Sequence, residues 1–266
     1  MATSLIGFTD RDRPSDAVIL SCVHCGFCLP TCPTYRLTGR ERSSPRGRIR
    51  LMRAVSEGEL SVLDPIFEEE MALCLNCRAC EAVCPSGVQY GQILEASRAQ
   101  IEQHSSPAMP ERAARAATFG LLFTDMRRFR LASRALRLYE RSGLQGLARR
   151  TGVLRLLHLE ETERLAPAVS ETFTLPVGQT YAAQGRRRGR VGLLTGCIMS
   201  TAYAEVHEAT IRVLTRNGFD VTLVADQGCC GALHVHGGDP DGGRELARRN
   251  IDAFDNPRLD AVIVNA

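Results

Sequence analysis

Lysine is missing from this chain: all 33 basic residues are arginine, set against 30 acidic ones. The codon bias of a GC-rich genome accounts for this more simply than any function, and neither thermostability nor phosphate binding is read from it. The net charge of +3 is too small to imply nucleic acid, so no such partner is expected. Long hydrophobic runs are absent too, and none approaches the length of a membrane span. Met1 to Ser15 carries Asp10, Arg11, Asp12 and Arg13 where an export signal would need an apolar core. These two absences make a reducing cytoplasm the expected location. A dinucleotide fingerprint is lacking as well: Gly192, Gly196 and the pairs Gly237-Gly238 and Gly242-Gly243 do not form G-x-G-x-x-G after a strand. With no recognisable general base or substrate clamp, no flavin or nicotinamide chemistry is expected on this polypeptide.

Cysteine is plentiful by contrast, with 11 in the chain. Eight form two copies of one pattern: Cys22, Cys25, Cys28 and Cys32-Pro33, then Cys74, Cys77, Cys80 and Cys84-Pro85. Each copy reads C-x2-C-x2-C-x3-C-P, the ligand run of bacterial two-cluster ferredoxins. Three closely spaced cysteines offer sulfur to three corners of one cubane, and the fourth, held before proline, ligates the other cluster. On that rule Cys22, Cys25, Cys28 and Cys84 take one [4Fe–4S] cluster, and Cys74, Cys77, Cys80 and Cys32 take the second. Structural zinc usually draws on two separated cysteine pairs, so the spacing favours clusters over zinc. Disulfides are disfavoured without an export signal. His24, inside the first loop, is read as a surface or supporting group, since four thiolates already complete each cubane.

The rest of the chain divides by rhythm. Residues 1–105 are expected to form a ferredoxin-like domain enlarged by helices. Ser44-Pro45 reads as a helix N-cap with proline at the first helical position, followed by Ile49, Met52 and Val55 on one face. Ile66 to Leu73 reads as a short acidic-faced helix and Val88 to Gln103 as a longer one, with Ile93, Leu94 and Ile101 inward. Residues 106–185 combine a basic helical region with a linker from 161 to 190. Between Arg112 and Arg155 stand eleven arginines against Asp125 and Glu140, interleaved with Leu121, Leu122, Phe123, Phe129, Leu131, Leu136, Leu138 and Tyr139. Such a stretch suits an acidic partner or an anionic membrane surface, or a helical cover over a neighbouring domain with its arginines solvated.

Residues 186–266 alternate strand and helix. Val191 to Thr195, Val221 to Val224 and Ala261 to Val264 read as strands; Thr201 to Asn217 and Gly243 to Phe254 read as helices. This order predicts a parallel, doubly wound α/β sheet. Cys197 follows the first strand, and Cys229 and Cys230 follow the second, so all three are expected on the rim where such sheets bind ligands. Buried inert cysteine is the plain alternative, but adjacent Cys229-Cys230 between glycines fits ligation or redox work better.

Several segments carry a family resemblance. Val23-His24-Cys25-Gly26-Phe27-Cys28, Thr31-Cys32-Pro33-Thr34-Tyr35, Ser44-Pro45-Arg46-Gly47-Arg48-Ile49, Cys84-Pro85-Ser86-Gly87-Val88 and Gly228-Cys229-Cys230-Gly231-Ala232 resemble the iron–sulfur subunit of bacterial glycolate oxidase. The resemblance implies a non-catalytic, electron-transferring partner of FAD-binding oxidase subunits that turn glycolate into glyoxylate. Electrons would leave toward a respiratory-chain acceptor, with the subunit peripheral at the inner face of the cytoplasmic membrane. Cys197, Cys229 and Cys230 match the first CCG motif, shared with heterodisulfide reductases, and are candidate ligands of a third cluster. Family members continue through further motif cysteines, whereas this sequence stops at Val264-Asn265-Ala266. The resemblance therefore implies a truncated CCG domain, in a fragment or a shortened gene. The cluster subunit of anaerobic glycerol-3-phosphate dehydrogenase, and a heterodisulfide-reductase-like redox protein, are the alternatives. The Pro45 to Ile49 segment favours the glycolate family.

Overall fold

The computed structural model describes residues 6–157, 159–173 and 178–265. Two compact units emerge: Met1–Ala108 with Ala232–Gly243, and Met109–Gly231 with Arg244–Ala266.

The first unit is helical, and proline starts three of its helices: Pro33–Thr38, Pro45–Ser56 and Pro65–Leu73. Proline suits that position because the first helical N–H has no acceptor in any case. The expected cap forms, Ser44 Oγ accepting from Gly47 N at 3.0 Å, and Asp64 Oδ1 likewise accepts from Ile66 N at 2.8 Å. Ile49, Met52 and Val55 turn inward as their spacing requires. They meet Phe67 and Met71 from the third of these helices, and Ile93 and Leu94 from Tyr90–His104. The resemblance segment at 45–49 acquires physical reasons here. A Cβ on Gly47 would lie 2.0 Å from the Glu41 carbonyl oxygen, so only glycine lets the helix approach that turn. Arg48 is wholly buried and meets the equally buried Glu70, with Nη2 and Oε2 3.4 Å apart. The helix read as acidic-faced thus turns one of its glutamates into the core.

The second unit opens with a run of helices: Met109–Arg115, a π-helical turn at Ala116–Leu122, the longer Met126–Arg141, then Leu144–Thr151, Val153–Leu156 and Glu160–Leu165. Of the apolar side chains in the basic region, Phe129 is buried, while Leu121, Leu131, Leu136 and Leu138 stay exposed. The sheet comprises β1 (Thr180–Tyr181), β2 (Gly189–Leu194), β3 (Phe219–Thr222) and β4 (Ala261–Val264), in the order β1-β3-β2-β4.

β3, β2 and β4 are parallel, but β1 pairs antiparallel with β3, so the sheet is mixed rather than wholly parallel as expected. The cause is local: β1, from the stretch read as linker, covers an edge of β3 that would otherwise be bare. Thr180 Oγ1 lies 3.0 Å from Thr222 Oγ1, and Leu223 N donates to Gln179 O at 2.8 Å. The helix expected at Thr201 to Asn217 is two, Ile198–Thr201 and Ala204–Arg216. The strand expected at Val221 starts two residues earlier, immediately after Gly218, whose Cβ would lie 2.6 Å from the Arg186 carbonyl oxygen. Val191, Leu193, Ile211, Val221 and Leu223 form the core beside this sheet. Among the described residues no helix is long and apolar enough to cross a membrane.

Candidate iron–sulfur sites

The two cysteine loops share one backbone device. His24 and Gly26 have φ of 54° and 87°, and the corresponding Asn76 and Arg78 have φ of 50° and 56°. Two left-handed residues per loop curl the chain so that successive cysteines face one side. Non-glycine residues adopt this conformation at a penalty of about 1–2 kcal/mol, and side chains hold them there. Arg78 Nε donates to Glu81 Oε2 at 2.8 Å, and Glu81 Oε1 accepts from Gly91 N at 2.7 Å, fixing the second loop to helix Tyr90–His104. In the first loop, Arg46 Nη1 donates to the His24 carbonyl at 3.1 Å while Nε meets Glu41 Oε1 at 2.6 Å. His24 thus contributes its carbonyl to loop geometry.

The loops line two cavities. One gathers Cys22, Cys25 and Cys28 with Cys84 from the second motif, between apolar walls that include Val23, Phe27, Ile49 and Val88. The other gathers Cys74, Cys77 and Cys80 with Cys32 from the first motif. Cys80, Pro45 and Tyr90 border both. Each cavity is therefore lined by the three closely spaced cysteines of one motif and the proline-linked cysteine of the other, with Cys80 standing between the two.

Electrostatics says what would fit these cavities. Burial, reinforced by neighbouring sulfurs, pushes the Cys22 and Cys28 thiols up. Burial, then the Cys74 and Cys28 sulfurs, pushes Cys80 up to about 12. Sulfurs so crowded can all ionise only around a positive core, and soft thiolates select iron–sulfur or zinc cores. Among the described residues, no three or more His, Cys, Asp or Glu side chains are gathered as for a single bound ion. The donor set, at least four cysteines around each cavity and no carboxylate, fits a cluster.

Cys197, Cys229 and Cys230 are arranged differently. Cys197 Sγ and Cys229 Sγ are both buried and lie 3.4 Å apart. The exposed Cys230 hydrogen-bonds the Cys229 thiol. The bond from Cys229 holds the Cys197 thiol below its ordinary value, and sharing that proton lifts Cys229 to about 11. The three do converge beyond the ends of β2 and β3. Two side chains that sequence reasoning missed position them. Gln227 bridges the strand ends, accepting from Thr195 N at 2.6 Å and donating to Leu193 O at 3.0 Å. Asn250 accepts from Gly228 N at 2.9 Å and donates to Cys229 O at 2.8 Å. Their signal in the sequence is faint, an amide two residues before Cys229 and another on the following helix.

A two-loop cysteine module followed by a cysteine-rich domain on a small sheet defines the class, an iron–sulfur redox protein of the CCG type. Family models agree: a 4Fe-4S dicluster domain matches residues 18–88, and a cysteine-rich domain matches 191–266. Between them, the linker region of the glycolate oxidase iron-sulfur subunit matches 110–166, the basic helical stretch.

The chain is a relative of the glycolate oxidase iron–sulfur subunits. It is 43% identical over 260 residues to a probable glycolate oxidase iron-sulfur subunit of Bacillus subtilis, covering 96% of this chain and 58% of that protein. To the glycolate oxidase iron-sulfur subunit of Escherichia coli it is 36% identical over 248 residues, covering 92% and 54%. A fumarate reductase (CoM/CoB) component from Methanothermobacter marburgensis is 24% identical over 256 residues, covering 92% and 42%. The chain thus spans about half the length of the curated relatives it matches. No solved structure matches.

Proposed function

We propose that this chain carries electrons within a glycolate-oxidising complex, with Cys22, Cys25, Cys28 and Cys84 holding one [4Fe–4S] cluster and Cys74, Cys77, Cys80 and Cys32 the other. The observation that carries this reading is the crossed lining of two adjoining cavities, Cys84 beside the first motif's three spaced cysteines and Cys32 beside the second's. When bound, such clusters accept and release electrons singly. The chain's own residues supply the thiolates, the apolar walls that limit water and the left-handed turns that aim the sulfurs. Cys197, Cys229 and Cys230 supply three further sulfurs toward a third cluster, and another donor must complete that set.

The division into a cluster domain at 1–105, a basic helical region with linker at 106–185 and a CCG domain from 186 follows the same reading. Hydride removal from glycolate belongs to FAD-binding partner subunits, in keeping with the lack of a dinucleotide fingerprint here. The arginine- and leucine-rich stretch suits a place at the inner face of the cytoplasmic membrane, near a respiratory acceptor.

Anaerobic purification with iron, sulfide, zinc and flavin analysis tests the proposal, followed by glycolate assays with and without the flavin-binding partners. Two clusters' worth of iron and sulfide, no flavin, and glycolate oxidation only in the presence of partners are expected. Zinc in place of iron, or turnover by the flavin-free chain alone, overturns it.

A further inference from the structure

The two quartets differ in which side chains touch their sulfurs. Cys32 Sγ lies 3.2 Å from Thr34 Oγ1, and Tyr90 Oη donates to Cys74 Sγ at 3.6 Å. Both sulfurs belong to the quartet Cys32, Cys74, Cys77 and Cys80. Among the described residues no side-chain hydrogen bond to Cys22, Cys25, Cys28 or Cys84 is found, and the bonds at Cys22 and Cys28 come from backbone N–H groups.

Behind Thr34 stands a buried charge relay. Arg48 Nη1 donates to Thr34 Oγ1 at 3.1 Å, and Arg48 Nε donates to the Glu70 carbonyl at 2.7 Å. Glu70 also meets Arg42, Nε to Oε1 3.0 Å. Arg42 in turn meets Glu69, Nη2 to Oε2 3.6 Å, so two carboxylates match the two guanidiniums. What sets Arg48 apart is that it is wholly buried with an N–H aimed at Thr34, where solvent screens it little. Arg46, beside the other quartet, has its own carboxylate, Glu41, and a side chain 30% exposed, so its field is neutralised and screened.

Thr34 has one hydroxyl proton and two acceptors, Ser43 O at 2.8 Å and Cys32 Sγ. A free Cys32 thiol can itself donate to Thr34. Once Cys32 is a metal-bound thiolate that proton is gone, and the hydroxyl, polarised by Arg48, becomes the donor. A hydrogen bond or positive charge at a ligand sulfur stabilises the more negative, reduced state and so raises the reduction potential.

We propose that Thr34 and Tyr90, with Arg48 behind Thr34, selectively raise the potential of the cluster held by Cys32, Cys74, Cys77 and Cys80. They bias an electron toward that side of the module. This inference rests on the cluster reading above.

The test is an EPR-monitored redox titration of the anaerobically prepared full chain, comparing Thr34→Val, Tyr90→Phe and Thr34→Ser with the parent. Each of the first two is expected to lower one midpoint potential and leave the other unmoved. The size expected is roughly a tenfold change in the one-electron equilibrium, ~59 mV. Thr34→Ser, which keeps the hydroxyl, should restore the parent value. A Cys84→Ser background, retaining only the Cys32-side cluster, assigns the moving signal. Unchanged potentials, equal movement of both, or failure of serine to restore would overturn the tuning role with the clusters intact. A parent protein without iron or sulfide would instead sink the cluster reading itself, so the two failures are told apart by metal content before any titration. Should Thr34→Val not fold, Tyr90→Phe carries the test alone, since its ring remains in place.

Discussion

The two cysteine-bearing regions treat sulfur in opposite ways. In the first unit the thiols line cavities, and burial and neighbouring sulfurs push Cys22, Cys28 and Cys80 up. In the second, Cys197 and Cys229 close upon each other at 3.4 Å and share a proton, one lowered and the other raised. The first arrangement crowds thiols whose ionisation the proposed cluster cores would favour. The second finds hydrogen-bond partners among its own three thiols. The difference teaches that local backbone geometry, as well as spacing, decides how cysteines meet. Strained, left-handed loops hold the first group apart, whereas amide clamps hold the second together.

The strongest way to break that comparison is to remove one crossed ligand. Cys84→Ser should lose the cluster of Cys22, Cys25 and Cys28, although Cys84 lies in the other motif, while Cys32→Ser should lose its counterpart. Iron analysis should find about half the parent content in each variant, as expected when each core draws its fourth sulfur from the other loop. The double variant should hold none in the first unit. Loss confined to each cysteine's own motif would refute the crossed arrangement. Cys229→Ser should leave the iron of both quartets untouched.

Next in size is the buried pair that supports the first unit's loops. Arg48→Met removes buried hydrogen bonds to Thr34 and to the Glu70 carbonyl while leaving Glu70 to Arg42 and Ser43, and should cost about 1–3 kcal/mol. Thermal unfolding measures it. In the second unit, Asn250→Ala unpairs Gly228 N and Cys229 O together. It should cost about 1–3 kcal/mol in denaturant unfolding and free the cysteine loop, seen as faster alkylation of Cys229.

Much of this contrast was legible in the sequence. The eight cysteines, the Ser44-Pro45 cap, the inward face of Ile49, Met52 and Val55, and strand β4 rest on local spacing or capping, which a short window contains. Arg48, Glu70, Gln227 and Asn250 were not legible, because a buried polar residue is recognised only by the partner that tertiary packing brings to it. Glu70, read on an acidic face, illustrates this: its salt-bridge partner lies 22 residues away. β1 escaped for a related reason. Two residues between glycines carry no period, and only the bare edge of β3 makes them a strand. The left-handed Arg78 contradicts its intrinsic preference and is fixed by Glu81, another side-chain contact.

The smallest expected effect sharpens the comparison from the side of pH. His207 is buried, its Nε2 2.9 Å from Thr195 O and its Nδ1 3.0 Å from Asn265 Nδ2. The Asn265 amide donates to Nδ1, so Nε2 bears the proton and donates to Thr195, the residue clamped by Gln227. Burial holds this imidazole below its ordinary 6.5, outweighing the upward pull of the Thr195 carbonyl. As pH falls below 6.5 the unfolded chain takes up a proton that the folded one refuses. The second unit should therefore lose stability between 6.5 and the lower folded value, and keep it in full above 6.5. His207→Gln can present a donor and an acceptor but does not titrate, so its unfolding free energy should follow pH less steeply across that window. Equal slopes for parent and variant would show that His207 is not a pH-sensitive support of the strand end. The first unit, which does not contain His207, should show no difference between the two proteins.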